Sequence, residues 1–116
     1  SRPMKFLFLI AHDDTFAPTP KLLKAIHAWV DHATSTGLRL AGAPLVPAQQ
    51  GRTVRVRQGK TQVVSGPFSK SREQVCAYEL VECDSFEAAV EAAKSHPMAT
   101  AATIEVRPVW ENLAGG

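Results

Sequence analysis

Cysteine is scarce in this chain, with only Cys76 and Cys83, and aromatic residues make up 7% of it, including a single tyrosine. The two cysteines form neither a Cys-x-x-Cys element nor a metal-type spacing, which argues against thiol redox work and against a zinc cluster. They read as buried thiols of a reducing compartment, where a bridge is disfavoured. Long apolar runs are missing as well. None reaches the roughly 20 residues that a membrane-crossing helix needs, so no membrane association is expected. The first residues, Ser1-Arg2-Pro3, lack the basic start, apolar centre and cleavage site of a secretory signal, and a cytoplasmic location is the expectation. Charge of one sign is also in short supply. A formal net charge of +2 without an extended Lys/Arg run offers no basic stripe for phosphates, so nucleic acid is not an expected partner. Internal repeats and low-complexity segments are absent.

What is present suits one soluble core. With 116 residues, 45% of them hydrophobic and 21% charged, the chain has the size and composition of a single globular domain. Met4 to Ala11 is a nearly continuous apolar run, which in a strand means that both faces are covered. After Pro18 and Pro20, the residues Leu22, Leu23, Ile26, Trp29, Val30 and Ala33 recur at helical spacing. Thr19 is the expected N-cap, Pro20 the first helical residue and Gly37 the left-handed stop. Leu38 to Leu45 reads as a strand. Thr53 to Arg57 and Thr61 to Val64, joined by Gln58-Gly59-Lys60, read as a hairpin. Its cluster of Arg52, Arg55, Arg57 and Lys60 is best explained as solvated charge that discourages strand-to-strand aggregation. Val75 to Cys83 is the next strand. Asp84 is the expected cap of a second helix, with Glu87 three residues on and Phe86, Ala89, Val90 and Ala93 on its buried side. His96-Pro97 stops that helix, and Thr103 to Val109 is the last strand.

The order β, α, β, hairpin, β, α, β predicts an α+β fold, a ferredoxin-like βαββαβ plan with an inserted β-hairpin. One domain spans 1–116, with a core over about 4–109 and a C-terminal tail over 110–116. Helices in this plan cover only one sheet face, so the apolar character of both faces of the first strand calls for a second cover. The simplest is the sheet of another copy, giving a homodimer. Between strands, Ser65-Gly66-Pro67-Phe68 forms a tight turn: Gly66 reaches backbone angles closed to other residues, and Pro67 has no N–H for a ladder. The segment from Ser65 to Gln74, with Gly66-Pro67-Phe68 intact, resembles the signature turn of the DGPF branch of the YCII-like family. The resemblance runs from about Met4 to Val109 and includes the closing strand Ile104 to Val109. It implies a dimeric α/β barrel in which two sheets close face to face. Ser65 stands where that branch usually has aspartate, so any role of that carboxylate is lost here.

Candidate chemistry-bearing residues fall into three groups. Glu105 and Arg107 share the face of the last strand turned away from the helices, where Arg107 would orient an anionic or carbonyl oxygen and Glu105 would move a proton; an ion pair at the dimer seam or the strand end is the plainer alternative. His12 and Asp13 lie at the carboxyl end of the first strand, where His12 is a candidate acid or base if a carboxylate orients it. His27 and Asp31 sit four residues apart on one helix face. Some YCII-like enzymes use a helix histidine with an aspartate, and the resemblance places that histidine close to His27; an isolated surface pair is the plain alternative. Tyr78, the sole tyrosine, is a candidate for lining a pocket. His32 and His96 read as a helix-surface and a helix-end residue. No metal and no cofactor are expected. Two functions emerge: a small cofactor-independent enzyme performing proton transfer (isomerisation, elimination or ring rearrangement) on a small oxygenated molecule, with lyase or isomerase activity, or a non-catalytic ligand-binding or regulatory dimer, which the resemblance would make a sigma-factor companion.

Overall fold

A computed structural model of the chain describes residues 3–113. Its elements run in the order β1 (Met4–His12), α1 (Pro20–Ser35), β2 (Arg39–Pro44), a 3-10 turn (Ala48–Gln50), β3 (Arg52–Arg57), β4 (Lys60–Ser65), β5 (Gln74–Cys83), α2 (Phe86–Ser95), α3 (Met98–Ala101) and β6 (Thr103–Pro108). Four strands make an antiparallel sheet in the order β2-β5-β1-β6, and β3-β4 form a separate two-stranded ribbon. This is the ferredoxin-like split βαβ arrangement, with the ribbon inserted between its second and third core strands. Among the described residues no helix is long and apolar enough to cross a membrane.

Local chemistry explains the boundaries. The Thr19 hydroxyl accepts from the Leu22 N–H at 3.1 Å, Pro20 opens α1, and Gly37 at φ +80° takes the left-handed position after it. At α2 the cap is Ser85 rather than Asp84: its hydroxyl accepts from the Ala88 N–H at 3.0 Å. The two neighbours are both good capping residues, and only the register of the first turn separates them. Pro97 ends α2 as expected, but the chain then makes one more short helix, α3, which sequence periodicity is too brief to reveal. At the Ser65-Gly66-Pro67-Phe68 turn, Gly66 adopts φ +94° and is buried, its N–H donating to the Gly51 carbonyl at 2.8 Å and its own carbonyl accepting from Thr53 Oγ1 at 2.8 Å. These bonds close the root of the ribbon.

Alternation along β1 sorts its two faces. Phe6, Phe8 and Ile10 are fully buried against the helices, where the Phe6 ring lies 5.5 Å from Phe86 and the Phe8 ring 6.4 Å from Trp29. Val81, Ala89, Ala93 and Met98 complete that core. Leu7 and Leu9 point the other way, beside Leu80 and Tyr78 of β5 in the ladder, and among the described residues no helix packs over them. The molecule is accordingly thin, 46 × 44 × 19 Å, and its radius of gyration of 16.2 Å exceeds the roughly 13 Å expected for a compact chain of this length. The ribbon accounts for part of that excess: Val54, Val56, Val63 and Val64 are all exposed, as is Phe68 of the turn, at 74%.

Candidate functional site

Between α1 and the helix-side face of the sheet lies a cavity of about 480 Å³. Ile10, Phe16, Leu23, Ile26, Val30 and Met98 give it mostly apolar walls, which is the usual make-up of a small-molecule site. Into this lining project a few polar groups: His12, His27, Arg39, Glu79 and His96.

The last three are bonded to each other. Glu79 belongs to β5 and shares the parity of Ala77 and Val81, so its carboxylate points into the core side of the sheet, where it is 4% exposed. Arg39 Nε donates to Glu79 Oε1 at 2.8 Å, and His96 Nε2 lies 3.0 Å from Glu79 Oε2. His96 is 2% exposed. Its place follows from the sequence: the residue before a proline is driven to an extended backbone, and His96 at φ −71°, ψ 130° leaves the helix and turns its ring beneath α2. There the Met98 backbone N–H donates to His96 Nδ1 at 3.1 Å. Because an N–H can only donate, Nδ1 carries the lone pair, and the ring proton sits on Nε2 and is given to Glu79. Trp29 packs on this imidazole at 4.5 Å between ring centres and donates its indole N–H to Ser95 Oγ at 3.0 Å.

Gly42 makes room for the group. It faces Glu79 across the β2-β5 ladder, and a Cβ there would overlap Glu79 Oε1 and come within 2.7 Å of Arg39 Nη2. A glycine inside a strand often marks such a close approach.

Burial pushes the Glu79 carboxyl up, but the hydrogen bonds from His96 and Arg39 outweigh it and hold the group below its usual value of 4.5. A depressed carboxyl contributes stability that is present above the unfolded-state value and lost as pH falls through the folded one. The chain should therefore hold its stability down to the ordinary carboxylate range and lose the Glu79 contribution below it. Denaturant midpoints measured from pH 7 to pH 3 should show a shallower acid limb in Glu79→Gln than in the natural chain; equal slopes would remove Glu79 from the acid response.

His12 closes the mouth of the cavity. It stacks on Phe16, with ring centres 4.5 Å apart and planes 19° from parallel, and its Nδ1 lies 2.8 Å from the Asp13 carbonyl oxygen. That oxygen accepts, so Nδ1 bears the proton and Nε2 presents its lone pair. The orienting acceptor is thus the backbone of Asp13, where the sequence suggested a carboxylate. The Asp13 side chain is engaged elsewhere: the Thr15 hydroxyl, and then the Thr15 N–H, donate to it and hold its carboxyl below the ordinary range.

The other candidates separate. His27 lines the cavity from α1 but is exposed, and no hydrogen bond or ion pair joins it to Asp31, which lies outside the lining. Tyr78, Glu105 and Arg107 lie on the opposite face of the sheet. Glu105 and Arg107 pair there with each other, Arg107 Nε donating to Glu105 Oε2 at 2.7 Å. The structure thus joins His12 and His27 in one cavity and leaves Tyr78, Glu105 and Arg107 on the far side of the sheet. Sequence reasoning passed over Arg39, Glu79 and His96. Their signals were a carboxylate at an inward strand position, a strand glycine opposite it and a histidine fixed by the following proline. Cys76 also lines the cavity, at a bulge in β5, and burial raises its thiol. Among the described residues no cluster of three His, Cys, Asp or Glu side chains is arranged to hold a metal ion.

Fold and cavity together define a ferredoxin-like α+β domain with a ligand-sized hollow between its first helix and its sheet. The YCII-related domain profile matches residues 4–112, and the chain belongs to that family. It is also 36% identical over 69 residues to an uncharacterized protein of Rhizobium meliloti (strain 1021). The match covers 58% of this chain and 56% of that relative, so the chain spans little more than half the relative's length.

Proposed function

We propose that the cavity beneath α1 is the site of a small, cofactor-independent enzyme that moves a proton on a small oxygenated molecule, in an isomerisation, elimination or ring rearrangement. The observation that carries this reading is His12, an imidazole at the mouth of an apolar cavity whose Nδ1 is tied to the Asp13 carbonyl and whose Nε2 is left as the base. A positioned base at a largely apolar site contributes typically 10²–10⁴-fold to proton transfer. His27, which lines the cavity from α1 without an orienting partner, would serve as the second proton carrier rather than the first.

The test works with an unidentified substrate. A panel of small enolisable carbonyl compounds, phenylpyruvate among them, is incubated with the protein in D₂O and the loss of α-proton signals is followed by NMR. The natural chain should accelerate exchange of at least one compound, and His12→Gln should lower that rate by about 10²-fold or more while leaving the fold intact. Exchange no faster than in buffer across the panel would retire the enzyme and favour a non-catalytic ligand-binding dimer.

The same reading includes a second copy of the chain. The face of the sheet bearing Leu7, Leu9, Tyr78 and Leu80 has no helix over it among the described residues, and a partner's equivalent face would bury it, leaving the helix-side cavity of each copy open to solvent.

A further inference from the structure

Among the described residues, Arg39 is the cation set into the cavity whose bonding is incomplete. Only its Nε has a protein partner, Glu79 Oε1; among the described residues neither Nη donates to anything. No side-chain nitrogen or oxygen sealed from solvent lacks a partner in the described structure, so the two Nη atoms are not closed off by protein. The Arg39 side chain is 17% exposed and lines the cavity. A guanidinium whose free end opens on mostly apolar walls has only water to bond there, and an acceptor that carries charge forms the stronger hydrogen bond. Glu79 does not serve as that acceptor: its Oε1 accepts from Arg39 Nε and its Oε2 lies against His96 Nε2, and neither Nη is hydrogen-bonded to it.

We infer that Arg39 is the anion anchor of this cavity, receiving the carboxylate or enolate oxygens of a small molecule whose remaining body is apolar. Glu79 and His96 are positioning residues: Glu79 grips Nε and thereby turns the end-on Nη1/Nη2 edge outward, and His96, fixed by the Met98 N–H, holds Glu79. Gly42 supplies the space that Glu79 Oε1 and Arg39 Nη2 occupy, since a Cβ there would come within 2.7 Å of both. The fork geometry of arginine matches two oxygens at once, which a lysine in the same place would not do. The rest of the lining then specifies the body of the ligand, because Phe16, Ile26, Val30 and Met98 offer it no hydrogen bond through their side chains. The ligand class is an aryl- or alkyl-substituted monocarboxylate, or a keto acid whose enolate forms at the anchor. The assignment rests on the reading of the cavity as a small-molecule site, but not on its being catalytic.

The experiment is an amide NMR titration of the full chain with 3-phenylpropanoate and, separately, with its neutral amide, following the resonances of cavity residues. The carboxylate should bind at least about tenfold tighter than the amide. Arg39→Met alone would leave the Glu79 carboxylate buried without its cation, so the informative variant is Arg39→Met/Glu79→Gln, in which the side-chain amide oxygen that replaces the carboxylate still accepts from His96. It should lose the preference by weakening the carboxylate alone. Arg39→Lys, which keeps the charge but not the fork, should retain only part of it. Equal affinity of the natural chain for acid and amide overturns the anchor while leaving the cavity a binding site. An acid-to-amide ratio unchanged in the double variant also overturns it, since a purely structural Arg39 would not move that ratio. Absence of cavity shifts with either probe overturns the anchor and the small-molecule site together. Discrimination by charge without any proton exchange in D₂O keeps the anchor and retires the catalysis.

Discussion

Glu79→Ala should cost about 3–5 kcal/mol of stability, the range for removing one member of a buried ion pair. Two groups would be stranded and a void opened at once. Arg39 would keep its charge beside apolar walls with no counter-ion, the His96 Nε2–H would lose its acceptor, and the space where the carboxylate sits above Gly42 would be left empty. Single domains have only about 5–15 kcal/mol to lose. The expected result is a large fall in the denaturant midpoint of the alanine variant, measured at fixed protein concentration so that association does not enter. Glu79→Gln should cost distinctly less, because an amide oxygen still accepts from either neighbour. If both variants unfold at the midpoint of the natural chain, the triad is not a structural element and its burial has no energetic consequence. If the glutamine variant falls as far as the alanine one, the charge of Glu79, rather than its hydrogen bonds, is what the surroundings require.

That triad is also where sequence reasoning reached its limit. The strand from Val75 to Cys83 is plain from its composition, and so are its neighbours; what the pattern does not contain is the register that sets Arg39 against a residue 40 positions later, or His96 against one 17 positions earlier. Neither separation has a periodicity that a linear reading can detect. The inward carboxylate was detectable in principle, since Glu79 shares a parity with Ala77 and Val81, but only once one face of β5 is assigned to the core. Gly42 pointed to the same place, as a strand glycine facing something that needs room.

Capping and period, by contrast, are local, and there the chain was readable. Thr19, Pro20 and Gly37 bracket α1 as read, and the parity of β6 puts Glu105 and Arg107 on the face away from the helices, where they are found paired. The single misplacement at a cap, Asp84 for Ser85, is a shift of one position between two residues of similar capping strength. The candidate site was legible only in part: His12 and His27 line one cavity, but their partners there are set by long-range packing, and Tyr78 is turned away from it by the same alternation that turns Glu79 inward.

The second large effect concerns the face that Tyr78 occupies. If the proposed second copy pairs through this face, Leu9→Glu should convert the dimer to a monomer. Leu9 lies on β1, one of the two central strands, beside Tyr78 on one side and Glu105 on the other. A carboxylate there would be carried into the apolar middle of any interface formed by this face, and would also come next to the existing charge of Glu105. Two-fold symmetry repeats the substitution, so each interface would receive it twice. Truncations at the centre of an interface cost about 2 kcal/mol or more, roughly a thirtyfold weakening for one site, and a doubled buried charge should exceed that. On the helix-facing core the change is silent, because Leu9 points away from it, so the variant should keep the circular dichroism spectrum of the natural chain. Sedimentation equilibrium over a wide concentration range is the measurement. A natural chain that sediments as a monomer throughout would end the proposal of a second copy and leave the bare leucines of β1 and β5 as a surface for some other protein. A variant that stays dimeric would move the interface elsewhere, the ribbon with its exposed valines and Phe68 being the first place to look.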